Sequence, residues 1–137
     1  MTLKNKLGLT SSTELANAEE KISKNKAHNL FRDNILKDYP PGTFQTLAFI
    51  HKYLFEDVYP FAGQFRTENI AKGEFRFAQF EYIETELESL LNKLKKEEYL
   101  QGLNKKDLAT KLAYYLAELN VLHPFREGNG RTNREFI

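Results

Sequence analysis

The chain has 137 residues, 41% of them hydrophobic, with eleven Phe and seven Tyr, which suits one domain able to bury a core and excludes a disordered tail. Lys and Arg number 20 against 19 Asp and Glu, a net charge of +1 that argues against a dedicated nucleic-acid binder, and the lack of cysteine rules out disulfides, thiolate metal sites and cysteine nucleophiles. The three histidines (His28, His51 and His123) form no i, i+4 pair that would favour zinc, and neither a signal-peptide core nor a membrane-length apolar run occurs, so the expectation is a soluble cytoplasmic protein without a membrane partner.

The pattern along the chain is mainly helical. "SSTE" at Ser11 to Glu14 matches a capping box, and the helix it opens runs to about Phe31 with Leu15, Ala18 and Ile22 on one face. "YPPG" at Tyr39 to Gly42 breaks the chain. A second helix carries Phe44, Leu47, Ala48, His51, Leu54, Phe55 and Val58 at helical spacing. His51 lies on that apolar stripe and reads as a core histidine whose polar atoms are satisfied. "FRTENIAKGEFRFA", Phe65 to Ala78, holds two short runs around Lys72-Gly73, with Phe75 and Phe77 alternating with Arg76. That is a β-hairpin or else a surface loop. "FEYIETELESLLNKL" places Ile83, Leu87, Leu90, Leu91 and Leu94 on one helical face, and Asn104 is the expected N-cap of a last full helix bearing Leu108, Leu112, Tyr115, Leu119 and Leu122. The clusters "KNK" and "NKLKKEE" read as solvated helix faces.

The stretch "HPFREGNGRTNR", residues 123 to 134, departs from this pattern. Glycines at 128 and 130 permit positive φ and can turn successive N–H groups into one anion-binding concavity. A helix starting near Asn129 would add the partial positive charge of its unpaired amides. Arg131 and Arg134, spaced i, i+3, share a face of that first turn, each offering a planar fork of donors to a polyphosphate. Glu127, one residue upstream, is placed to hold a magnesium ion bridging phosphate oxygens. An imidazole at His123 could take a proton from an incoming hydroxyl; the alternative is a histidine that only satisfies carbonyls at a helix end. For the glycines, the alternative is an ordinary helix–turn–helix connection.

These residues resemble the signature of the Fic family, His-x-Phe-x-(Asp or Glu)-Gly-Asn-Gly-Arg-x-x-Arg, at all eight fixed positions: His123, Phe125, Glu127, Gly128, Asn129, Gly130, Arg131 and Arg134. "FIHKYLFEDVYPFAGQFR" (Phe49 to Arg66), "NIAKGEFRFA" and the opener "NKLGLTSSTELANAEE" are similar to the family's helix, flap and compact-member start. The resemblance implies an all-α, Fic-like helical bundle with a small β-hairpin flap. It implies an adenylyltransferase moving AMP from ATP, with Mg²⁺, to a Ser, Thr or Tyr hydroxyl of a target protein. On that resemblance His123 is the base and Glu127 the metal ligand. The Gly128–Gly130 amides and Asn129 meet the α-phosphate, Arg131 the β-phosphate and Arg134 the γ-phosphate. Phe125 anchors the loop in the core. The flap (Asn69, Ile70, Ala71, Lys72, Gly73, Glu74, Phe75 and Arg76) aligns the target by main-chain pairing.

Two features depart from the family pattern. Members continue beyond the motif helix, whereas about two turns follow Gly130 here at 3.6 residues per turn; the expectation is a single Fic-like core over 1–137 without the family's C-terminal helices, whose end helix is marginal unless packed and whose transfer activity is accordingly weak. The inhibitory pattern (Ser or Thr)-x-x-x-Glu-(Gly or Asn) is not completed, since Leu15 follows Thr10 to Glu14. A separate inhibitor and a homo-oligomer stay open as partners. So do two rival readings, a weak nucleotide-binding or interaction module and an enzyme transferring another phosphate-linked group.

Overall fold

The computed structural model describes residues 3–40, 42–72 and 74–137. Among them are five α-helices and one two-stranded hairpin: α1 (Ser12–Arg32), α2 (Phe44–Phe55), β1 (Ala71–Lys72), β2 (Phe75–Arg76), α3 (Ile83–Lys96), α4 (Lys105–Leu122) and α5 (Asn129–Phe136). Polar side chains open three of the helices. Ser11 Oγ accepts from Glu14 N–H (3.3 Å), Thr43 Oγ1 from Thr46 N–H (3.2 Å) and Asn104 Oδ1 from Asp107 N–H (2.9 Å), each satisfying an amide that the helix cannot.

Helix α2 is the centre of the molecule. Thr46, Leu47, Ile50, His51, Leu54 and Phe55 are all buried, so it is covered nearly all round, as its composition demands. Leu47 joins one core with Leu87, Leu90, Leu91, Leu94, Tyr115, Leu119, Leu122 and Phe125. Ile50, Leu54 and Phe55 join a second with Leu15, Ala27, Leu30, Val58 and Tyr59. Val58, expected on the second helix, lies beyond its end, where Val58 N–H donates to Phe55 O (2.9 Å); it is nonetheless fully buried. The third helix is also later than its pattern, because a 3₁₀ turn at Phe80–Tyr82 precedes α3.

The short end helix is packed. α5 lies against α2 and α4, buries Asn129, Thr132 and Asn133, and places Phe136 against both cores. Asn133 Nδ2 donates to Asn120 Oδ1 of α4 (3.1 Å). Tertiary contacts therefore supply what eight residues lack in helix propensity.

The hairpin forms where expected, pairing Ala71 with Arg76 and Lys72 with Phe75; Gly73, expected at its turn, lies outside the described residues. Its exposed strands are closed at the root by Phe77 N–H to Ile70 O (3.3 Å) and Phe80 N–H to Asn69 Oδ1 (2.8 Å). Ala78 N–H donates to Val121 O (3.2 Å), fixing the root to the end of α4.

The Asn104 cap gives a direct test of this folding logic. Asn104→Ala should cost about 1 kcal/mol of stability, read as a lower urea midpoint at an unchanged slope. An unchanged midpoint would mean that the cap does not hold α4 in solution.

Candidate active site

Helix α4 must stop for the motif to begin. His123 is its C-cap, in the left-handed region (φ 49°), a conformation that histidine tolerates better than most residues. Its Nδ1 lies 3.2 Å from Asn120 O. A carbonyl can only accept, so Nδ1 carries the proton and Nε2 is left as the basic nitrogen. The imidazole stacks flat on Phe77 of the flap (3.7 Å, 10°). Burial, opposed by the bond to Asn120 and aided by nearby Arg66 and Lys72, holds its pKa below the ordinary histidine value, which keeps it an unprotonated base near neutral pH.

The following loop is fastened from inside. Asn129 is buried, and its side chain brackets Phe125, accepting from Phe125 N–H (2.8 Å) and donating to Phe125 O (2.6 Å). What Asn129 offers an anion is thus its backbone amide. Phe125 is fully buried and stacks on His51 (3.9 Å, 8°). His51 Nδ1 accepts from Gly63 N–H (2.9 Å), so Nε2 carries the proton and donates to Glu127 O (2.8 Å). The expected core histidine therefore also holds the backbone of the motif carboxylate, while the Glu127 side chain is exposed and accepts from Gly128 N–H (3.3 Å).

Gly128 has φ 81° and caps α5. A Cβ there would come within 2.5 Å of the Phe55 ring, so both conformation and space require glycine. Gly130, expected at positive φ as well, is instead an ordinary helical residue of α5. Its value is room: a Cβ would sit 3.3 Å from Arg134 Nη1, which folds back over the helix start.

One cavity of about 460 Å³ collects these groups: His123, Glu127, Gly128, Asn129, Gly130, Arg131 and Arg134 line it, with Ile70, Ala71, Lys72 and Phe77 of the flap, Arg126 and Glu19. Of the other flap residues expected, Asn69 serves the root and Glu74, Phe75 and Arg76 are exposed off the cavity wall. Lys72, Arg131 and Arg134, with Arg126 held in an ion pair by Glu68 (2.5 Å), face two carboxylates in a cavity that ends at the unpaired amides of a helix, a setting made for a polyphosphate. Glu127 supplies a hard oxygen donor beside them. That suits Mg²⁺, which takes one or two carboxylates and completes its shell with phosphate oxygens and water.

A sequence model of the Fic/DOC family matches residues 41–137. The chain belongs to the Fic/DOC family. It is 38% identical over 135 residues to the protein adenylyltransferase VbhT of Bartonella schoenbuchensis, covering 97% of this chain and 27% of that one. It is 36% identical over 135 residues to the probable protein adenylyltransferase Fic of Salmonella typhimurium, covering 98% and 65%. The chain thus spans about a quarter and about two thirds of these relatives' lengths. Among solved structures it resembles the FIC domain of Bep8 from a Bartonella species (TM-score 0.90, 27% identity, 98% of this chain and 68% of that one). It also resembles BepC of Bartonella tribocorum with bound AMPPNP (TM-score 0.82, 29% identity, 99% and 70%).

The Fic/DOC match begins after α1, yet α1 completes the cavity wall with Glu19. This carboxyl is hydrogen-bonded by the Tyr59 hydroxyl, and burial raises its pKa, with the nearby charge of Glu127 adding to the effect. Sequence reading missed Glu19 and also Arg66, a buried cation beneath the flap. Glu19 sits among solvated helix charges, and Arg66 stands at the start of a stretch read only as a hairpin or surface loop.

Burial pushes the His51 pKa down to about 4, whereas an unfolded histidine protonates near 6.5. The unfolded chain therefore binds the extra proton first as pH falls. The stability this represents, about 3 kcal/mol, should be fully present above pH 6.5 and lost between there and pH 4. In His51→Phe, the slope of stability against pH over that interval should be shallower by one proton; an identical slope in urea titrations would remove His51 as its source.

Proposed function

We propose that this chain is the catalytic core of a Mg²⁺-dependent protein adenylyltransferase. The observation that carries the reading is the convergence of His123, Glu127, the α5 amides, two motif arginines and the flap on one cavity. The names of the relatives and the AMPPNP bound to BepC support it. ATP lies with its phosphates over the start of α5. The amides of Gly128 to Gly130 face the α-phosphate, Arg131 the β-phosphate and Arg134 the γ-phosphate. Glu127 would hold Mg²⁺, which would supply charge neutralisation at the phosphate oxygens. The exposed edge of the flap pairs with an extended target segment and lays its Ser, Thr or Tyr hydroxyl beside His123.

His123 Nε2 takes the hydroxyl proton as the oxygen attacks the α-phosphorus. The bond between the α-phosphorus and the bridging oxygen breaks, and pyrophosphate leaves with that oxygen. A new P–O bond joins AMP to the target. Most of the catalysis is positioning and charge stabilisation. The supply of ATP and protein acceptors accords with a cytoplasmic setting.

Incubation of the chain with lysate and either α- or γ-labelled ATP tests the reading. Label should pass to protein from the α-position and not from the γ-position. Label arriving only from the γ-position would make the protein a phosphotransferase, and no labelling from either would leave a nucleotide-binding module. His123→Ala should lower α-label transfer by about 10²–10⁴ while ATP still binds. In the wild type the acid limb of kcat/KM should fall below pH 6.5, because burial lowers the His123 pKa; transfer at the wild-type rate in the variant would remove His123 as base.

Glu127→Ala should abolish the strengthening of ATP binding by Mg²⁺, measured calorimetrically with and without chelator. A variant whose affinity still responded to Mg²⁺ like the wild type would place the metal elsewhere.

A further inference from the structure

Arg66 is 5% exposed and lies in the segment between α2 and the flap. Its guanidinium donates from Nε to His123 O (2.6 Å), from Nη1 to Glu68 O (2.9 Å), and from Nη2 to Leu122 O (3.0 Å) and Ala78 O. Its backbone N–H donates to Pro124 O (2.9 Å). Two sets of carbonyls are thereby joined. Those of residues 122–124 are left over where α4 stops, and a cation with several donors is the group that best satisfies a helix C-terminus. Those of Glu68 and Ala78 flank the flap on either side. Phe77, next to Ala78, carries the ring that lies on His123.

We propose that Arg66 is a positioning residue that locks the flap to the backbone of His123, so that the strand aligning the acceptor and the group receiving its proton move as one body. The planar fork reaches four carbonyls in different directions; a lysine ammonium, with three donors and no plane, cannot reproduce it. The phosphate half of the site is fastened separately, by Asn129 on Phe125 and by His51 on Glu127. Loss of Arg66 should therefore act on acceptor alignment and spare nucleotide binding.

The kinetic part of the test rests on the adenylyl-transfer reading; the other two parts do not. Arg66→Lys and Arg66→Met are compared with the wild type by hydrogen exchange of the amides of residues 70–78, by calorimetry with Mg²⁺ and ATP, and by α-label transfer to lysate protein. Exchange at Phe77 and Ala78 should rise about tenfold in both variants. ATP affinity should stay at the wild-type value, and transfer should fall about 100-fold, the scale expected for a misplacement near an ångström. Unchanged flap exchange overturns the proposal. So does loss of ATP affinity in both variants, which would make Arg66 a general folding residue, or full transfer by Arg66→Lys. If the wild type transfers no label, the adenylyl-transfer reading fails, while exchange and ATP affinity still decide the role of Arg66.

Discussion

Two helices that meet end to end within a few residues create an electrostatic problem, and the rest of this structure is arranged around its solution. α4 ends in carbonyls without intrahelical partners, and α5 begins with amides in the same condition. The carbonyl side is answered by protein at five residues: Arg66 takes the carbonyls of Leu122 and His123, its backbone takes Pro124, Asn129 takes Phe125 and His51 takes Glu127. The amide side faces the cavity. A junction neutralised on one side only presents net positive potential on the other, and this asymmetry makes it an anion site.

The two cores explain how such a junction is held. α2 lies between them and gives His51 to the motif loop and Phe55 to the space beneath Gly128. The polar loop therefore rests on aromatic rings, with His51 stacked on Phe125 and Phe55 under the glycine. Packing of this kind tolerates little displacement, which is what a site working mainly by positioning needs.

The motif could be read in the sequence because its residues are close in the chain: every motif residue expected to touch phosphate, metal or proton lines the one cavity. Helix caps at Ser11 and Asn104 were legible for the same reason, each being a three-residue interaction. Alternation at Phe75 to Phe77 suggested a hairpin or a loop but no register, and the pairing of Ala71 with Arg76 and Lys72 with Phe75 is read from the structure alone. Illegible were the contacts between residues distant in sequence. Arg66 reaches His123 across 57 positions and His51 reaches Glu127 across 76, and nothing local distinguishes such residues from a surface cation or a satisfied core histidine. Glu19 is harder still, since it lies outside the family match and among exposed charges of α1. The helix start expected near Asn129 is where α5 begins, and that start rules out the positive φ expected at Gly130, because the glycine falls within the first helical turn.

The charges around the cavity have a consequence for how nucleotides arrive. The chain as a whole carries +1, so little long-range attraction surrounds most of its surface. Lys72, Arg131 and Arg134 are gathered at one mouth against Glu19 and Glu127, with Arg126 beside them paired to Glu68, which concentrates the field there. Such a local funnel works over roughly 8 Å at physiological ionic strength and guides anions in their last approach. Encounter rates should thus rank with phosphate charge, triphosphate ahead of monophosphate, and this ranking should flatten as salt is added.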